Sequence, residues 1–312
     1  MSSTLSQAGK SIRTGRPHFT GSHSHLPQRR MALTVVVPAI LYYLILRYYP
    51  VGQTLFLSFT NATLLAPDYQ FVGLHNFVTI FSEPVFLKVL WNTTYYAFIT
   101  TALTTGLALG IAFLFDPIRR GVGLLRLIYY LPTITSAIAI ATIWLWFYQP
   151  RFGLFNQILA LFGTPPIAWL NSLAWAMPSL IFMSVWGGVG FSALIFIAGL
   201  QGIPSSLVEA ALIDGASERQ IAWHIKLPLL SRVITFVFVT SIIGSFQVFQ
   251  QVYLMTRGGP LNSTRVLALE IYEDAFQHLK IGQAASIACV LFLIVGVLTI
   301  VQLRLQRSDW EL

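Results

Sequence analysis

The chain has 312 residues, 55% hydrophobic and only 10% charged, which leaves too little polar surface to keep one or two domains of this length in solution. Its one cysteine, Cys289, excludes an intrachain disulfide, a CxxC redox pair and a cysteine-built zinc site, and with them the secreted disulfide scaffolds. The formal charge of +8 would suit nucleic acid, so the positions of the charges must decide its meaning.

Residues 1–30 combine Lys10, Arg13, Arg16, Arg29 and Arg30 with Ser, Gly and the histidines His18, His23 and His25. Such a segment reads as a disordered basic tail, and its histidines carry no metal or cofactor expectation. The apolar run that follows exceeds a signal-peptide core and lacks a small-residue cleavage site, so it reads as a retained anchor. Six stretches, near 32–58, 89–115, 123–148, 175–200, 230–255 and 281–304, reach the roughly 20 apolar residues a helical crossing needs. Six crossings put both termini on one side. On that side fall the five basic residues of the tail, then Arg119, Arg120, Arg126, Arg219, Lys226, Arg232, Arg304 and Arg307. The opposite connections hold Lys88, Arg151, Arg257, Arg265 and Lys280. The positive-inside rule therefore makes both termini cytoplasmic, and the basic pI topological. Arg47, alone within a span and beside Tyr48, Tyr49 and Pro50, reads as an interfacial anchor.

No Asp, Glu or His lies inside a predicted span, and Asp116 sits at an edge, which disfavours a proton-driven carrier. The nearest approach to a phosphate-binding loop, TLSQAGKS from Thr4 to Ser11, lacks the first glycine and any preceding strand. ATP, if used, would be bound by another chain. The run from Phe152 to Leu161 is amphipathic and predicts a short interfacial helix.

The connection over 202–230 is too organised for a linker. Ser206 with Glu209 and Ser217 with Gln220 form two capping-box patterns, with Gly215 between them to end the first helix in the left-handed region. Pro228 closes the second helix before the fifth span. Glu209 and Asp214 lie roughly 140° apart around a helix, so they make no paired-carboxylate catalytic site. The small and apolar surface around Leu207, Ala210, Ala211 and Leu212 is to be covered, either by the chain's own bundle or by a partner's cleft.

Glu209, Ala210, Ala211, then Asp214, Gly215, Ala216, then Ile225, Leu227 and Pro228 resemble the EAA loop of permease subunits of binding-protein-dependent ABC importers. The segments FVGLHNF (71–77), WNTTYYAF (91–98), YYLPTITSA (129–137), FGLFNQIL (152–159) and GGPLNSTRVLALEIYEDAF (258–276) resemble its sugar branch, the maltose-type and glycerol-3-phosphate-type first permease above all. Ala222 departs from the aromatic residue common there, with Trp223 next to it.

The resemblance implies an all-α membrane protein of the type I ABC importer permease fold, with six transmembrane helices and cytoplasmic termini, in the bacterial inner membrane. It divides the chain into a tail (1–30), a permease domain (31–304) containing the coupling loop (202–230), and a C-terminal tail (305–312). It implies a second permease subunit, two ATPase subunits that hold ATP and Mg, and an extracytoplasmic sugar-binding protein. This chain itself would carry no cofactor and no catalytic residue. Glu209, Ala210, Ala211, Asp214, Gly215, Leu227 and Pro228 would couple ATP hydrolysis to alternating access. Thr133, Ser136, Ser184, Trp186, Gly188, Phe191, Gln247 and Gln251 would border the sugar, with Gln247 and Gln251 sharing a helix face beside Gln250. Amides and hydroxyls suit sugar hydroxyls, and equally suit hydrogen bonds between helices. Two other classes compete. A channel or secondary carrier would need no ATPase, and a membrane transferase would need clustered acids, for which only Glu270, Glu273, Asp274 and His278 offer a group. Those four are expected instead as a solvated charged loop facing the binding protein.

Overall fold

The structure, a computed structural model, describes residues 25–65, 68–116 and 122–306. Residues 1–24, Arg119, Arg120 and residues 307–312, with the expectations placed on them, lie outside the described residues. The chain divides into two units, one ending at Gly52 and the other starting at Gln53.

The described part of the first unit is helical: α1 (His25–Tyr43), a π-helical turn (Leu44–Tyr48) and the start of α2 (Tyr49–Leu57). Arg47 is exposed in that turn. The second unit continues with α3 (His75–Ser82), α4 (Pro84–Phe115), α5 (Val122–Ile134), α6 (Ala137–Phe147), α7 (Leu154–Leu161) and α8 (Ala176–Gln201). Then come α9 (Ser205–Ile213), α10 (Glu218–Ile221), a second π turn (Ala222–Lys226) and α11 (Leu227–Leu229). Last are α12 (Ser231–Phe246), α13 (Gln250–Met255), α14 (Leu267–Phe276) and α15 (Ile281–Gln306). The extended structure among the described residues is one antiparallel bridge, Thr60 to Phe71.

The six apolar stretches are all helical, but two of them break. Three helices, α4, α8 and α15, are long and apolar enough to cross a membrane alone. The bent pair Glu218–Leu229 and Ser231–Phe246, meeting at 64°, reaches that length and apolarity only when its two parts are taken together. The third stretch breaks between α5 and α6, where Pro132 cannot donate a helical hydrogen bond and Ser136 is extended at ψ 132°. The fifth breaks at residues 247–249, with Phe249 at φ −138°.

Each π turn ends two residues before a proline, Pro50 or Pro228. A proline ring collides with the carbonyl four residues back, so the turn before it widens: Tyr49 and Leu227 donate five residues back, to Leu44 and Ala222. The second helix of the 202–230 segment thus runs past Pro228 and ends at Leu230.

Helix α4 packs on its neighbours through small residues. Thr93, Ala97 and Thr101 are fully buried towards α12, α14 and α15, and Ala108 and Ala112 are fully buried against α8. Small side chains let helix backbones approach where burial in lipid offers no hydrophobic gain. Helix α8 does the same towards α5: a Cβ on Gly190 would stand 2.1 Å from the carbonyl oxygen of Tyr129. The amphipathic prediction at 152–161 matches α7, whose Phe155 packs on Trp144 with ring centroids 5.6 Å apart.

Candidate functional site

Within the second unit, α4, α5, α8, α12 and α13 surround a cavity of about 610 Å³. Helix α4 supplies Tyr96, Thr100, Thr101 and Thr104, all buried and one or two turns apart. Helix α5 adds Thr133, and α8 adds Ser184, Gly188, Phe191 and Ser192. From α12 come Thr240, Ser241 and Ser245, and from the break and α13 come Gln247, Phe249, Gln250 and Gln251.

Hydrogen bonds hold parts of this lining in place. The Tyr96 hydroxyl donates to Ser184 Oγ at 2.7 Å, tying α4 to α8. Thr133 Oγ1 donates to the Gly187 carbonyl at 3.1 Å, and Thr101 Oγ1 donates to Ser245 Oγ at 3.4 Å. Gln247 Nε2 reaches back to the Ile243 carbonyl at 3.3 Å, which leaves its amide oxygen available to a guest. Hydroxyls and carboxamides both donate and accept, so the cavity can match a solute covered in hydroxyls.

Six of the eight residues expected at the sugar site line this cavity: Thr133, Ser184, Gly188, Phe191, Gln247 and Gln251. Gln247 and Gln251 do not share a continuous helical face, because the helix breaks between them; the break itself turns them to one cavity. Ser136 is exposed where α6 begins, and Trp186 faces a separate apolar cleft of about 800 Å³ that also includes Leu103, Trp169 and Phe182. There Trp186 meets Trp144 edge-on, ring centroids 5.5 Å apart. Tyr96, Thr100, Thr101, Thr104, Ser192, Thr240, Ser241 and Ser245 were not among the sequence candidates. The signal that could have found several of them is hydroxyls recurring every four residues on apolar helices, 96–100–104 and 241–245.

The 202–230 segment forms the expected helix, turn, helix. Gly215 stands at φ +80°, where a side chain would be strained, and Ala216 N donates to the Ala211 carbonyl at 2.9 Å across the turn. The second capping box is complete: Ser217 N donates to Gln220 Oε1 at 2.8 Å, and Gln220 N donates to Ser217 Oγ at 3.4 Å. The first is not formed. Helix α9 starts at Ser205 behind Pro204, so Ser206 already lies inside it and no side chain caps its end.

No residue of α9 is buried, and Glu209, Ala210, Asp214 and Gly215 are exposed. Ala211 and Leu227 are half-buried, and Pro228 is exposed. Ile213 is 86% exposed. Behind them, a cavity of about 1130 Å³ lies among α4, α8 and this segment, lined by Glu209, Leu212, Trp223 and Leu227. Trp223, exposed, presents its ring there where Ala222 has none. An ion pair between Lys226 and Asp116 joins the segment to the end of α4.

The acids of 270–278 differ from expectation. Glu270 and Glu273 are paired with Arg265 and only 13% exposed in their side chains, so they are not a solvated loop. Burial pushes the Glu270 carboxyl above its ordinary value; Arg265 opposes the shift, while Asp274 and Glu273 add to it. Asn92 Nδ2 donates to the Asn262 and Arg265 carbonyls at 2.8 and 3.0 Å, and Thr93 Oγ1 accepts from Leu267 N at 2.9 Å. Among the described residues no His, Cys, Asp and Glu cluster could hold a metal ion.

Residues 102–308 match the family described as binding-protein-dependent transport system inner membrane component. The chain belongs to this family. Among related inner membrane components, it is 32% identical over 284 residues to the sulfoquinovosyl glycerol transport system permease protein of Agrobacterium fabrum, covering 91% of this chain and 92% of that one. It is 31% identical over 283 residues to the trehalose/maltose transport system permease protein of Thermococcus litoralis, covering 90% and 95%. Its fold is similar to a chain in the crystal structure of a bacterial ABC transporter involved in import of the acidic polysaccharide alginate. The TM-score is 0.81 at 21% identity, over 92% of this chain and 98% of that chain. As an inner membrane component it has helices apolar enough to span and exposes many large apolar side chains.

Proposed function

We propose that this chain is a permease subunit of an ATP-driven, binding-protein-dependent ABC importer for a sugar-class solute (a di- or oligosaccharide, glycoside, polyol or glycerol-3-phosphate-like solute), and that it forms half of the translocation path. The observation that carries the reading is the hydroxyl- and amide-lined cavity between α4, α5, α8, α12 and α13. The sugar-transport names of the two relatives support it. In this reading the permease domain spans 31–304. Helices α4, α8 and α15 cross singly, and α1 with α2, α5 with α6, and α12 with α13 cross as interrupted helices. Residues 1–30 and 305–312 are cytoplasmic tails, as the distribution of basic residues supports.

The 202–230 loop is the coupling element. Helix α9, bearing Glu209, Ala210, Ala211 and Asp214, enters a groove of an ATPase partner, and Gly215 sets its angle to α10. Leu227 and Pro228 carry the movement through the bent helix into α12, whose Thr240, Ser241 and Ser245 line the cavity. Of the two ways to cover α9, its unburied surface favours the partner. The chain is non-catalytic: ATP and Mg belong to two ATPase subunits, which work with a second permease and an extracytoplasmic binding protein.

The test is ATP hydrolysis and solute uptake by the full complex in proteoliposomes, with binding protein and a panel of sugars. One sugar should stimulate both. Glu209→Ala with Gly215→Val should insert and assemble in the membrane, yet lose stimulated uptake; a Cβ at 215 meets nothing within 4 Å, so the cost is backbone strain at φ +80°. Uptake by this chain alone without ATP would replace the reading with a carrier or channel.

A further inference from the structure

We infer that the solute bound in the polar cavity is electrically neutral: an unphosphorylated, unsulfated sugar without a uronic carboxylate. The inference rests on the assignment of that cavity to the solute, and it adds what the cavity excludes. Among the described residues its lining carries ten hydroxyl side chains and three carboxamides, and not one Lys, Arg, His, Asp or Glu. A neutral sugar exchanges water hydrogen bonds for these at little cost. An anion entering the same space gives up hydration without meeting a counter-charge, and that loss is much larger.

Three cations of the helices and connections that bound this unit are engaged elsewhere. Lys226 is paired with Asp116, Arg265 lies between Glu270 and Glu273, and Lys88 Nζ donates to the Leu261 carbonyl at 2.8 Å. None of them lines the cavity. Nor does a helix dipole substitute for one: α13, which starts at the cavity with Gln250, has six residues, too short to act as an anion site. Serine, threonine and glutamine accept as readily as they donate, so nothing in the lining prefers negative charge. Phe191 and Phe249 add apolar faces, which suit the C–H faces of an uncharged ring. The cavity of about 610 Å³ falls within the range of small-molecule sites, room for a sugar unit on this chain's side of the path.

The experiment measures uptake by the complete transporter, with its binding protein saturated, of matched probes: glucose against glucuronate, and maltose against maltobionate. The neutral member should be taken up at least about tenfold faster than its anionic partner, as the unpaired-charge penalty requires. Gln251→Lys, which puts a cation into the cavity while leaving the binding protein unchanged, should move that ratio towards the anion by about tenfold. Equal or preferred uptake of the anion by the native complex overturns the inference and leaves sugar import standing. An unchanged ratio in Gln251→Lys also overturns it, because charge selection would then lie outside this cavity. If no sugar of either kind is taken up while another class of solute is, the sugar reading itself falls.

Discussion

Two connections of this chain, 202–230 and 256–280, are of similar length and similarly rich in charge, yet they end in opposite states. In 256–280 the charges are turned inward: Arg265 holds Glu270 and Glu273, Asp274 pairs with His278, and Lys88 and Asn92 of α4 donate to its carbonyls. In 202–230 one ion pair, Lys226 with Asp116, joins the segment to α4, and α9 buries nothing. The first connection is completed by its own chain. The second leaves small and apolar side chains, Ala210 and Ile213 among them, exposed. A loop's composition does not reveal which of these it is; the presence or absence of partners on neighbouring helices does.

Three substitutions probe this difference. Arg265→Ala should have the largest effect, because it leaves two mostly buried carboxylates without their cation; the expected loss is about 3 kcal/mol. It would be read as a lower midpoint of thermal unfolding of the purified complex in detergent. An unchanged midpoint would mean that 256–280 is no more self-sufficient than 202–230.

A smaller effect is expected from pH. Because the folded Glu270 holds its proton more tightly than an ordinary carboxylate, its contribution to stability is complete below the ordinary value and is lost as pH rises through the raised one. The unfolding midpoint of the native complex should therefore fall over that window as pH rises. Glu270→Gln should flatten this dependence, and an identical slope in the variant would count against the burial argument.

Ile213→Ser should change stability least, within about 0.5 kcal/mol, since the side chain touches little in its own chain. Its effect belongs to assembly: less ATPase subunit should co-purify with the complex. A clear drop in stability without loss of the ATPase would show that α9 packs on its own bundle after all.

Much of the 202–230 segment was legible from neighbouring residues. Gly215 in the left-handed region and the Ser217–Gln220 capping box depend on bonds across three to five residues, and both formed. The Ser206–Glu209 box did not, because Pro204 starts α9 two residues earlier than that pattern requires. The solvated loop read into 270–278 failed for a different reason: Arg265, Glu270 and Glu273 are close enough in sequence to pair, but it takes α4 behind them to make the pair internal.

The sequence by itself determined the class of this protein. Long apolar runs, the absence of acids inside them, the spread of basic residues and the EAA pattern are properties of adjacent residues, and they point to a membrane permease whatever the packing. Only the tertiary structure decided which polar residues meet. It gathered the hydroxyls of α4 and α12 at the break over 247–249, and it turned Trp186 towards Trp144 and away from Ser184. The physical reason is the solvent: outside a transmembrane helix lies lipid, as apolar as the protein interior. The pattern of hydrophobic residues therefore cannot mark the inward face, and that face is set by which small residues let neighbouring helices come close.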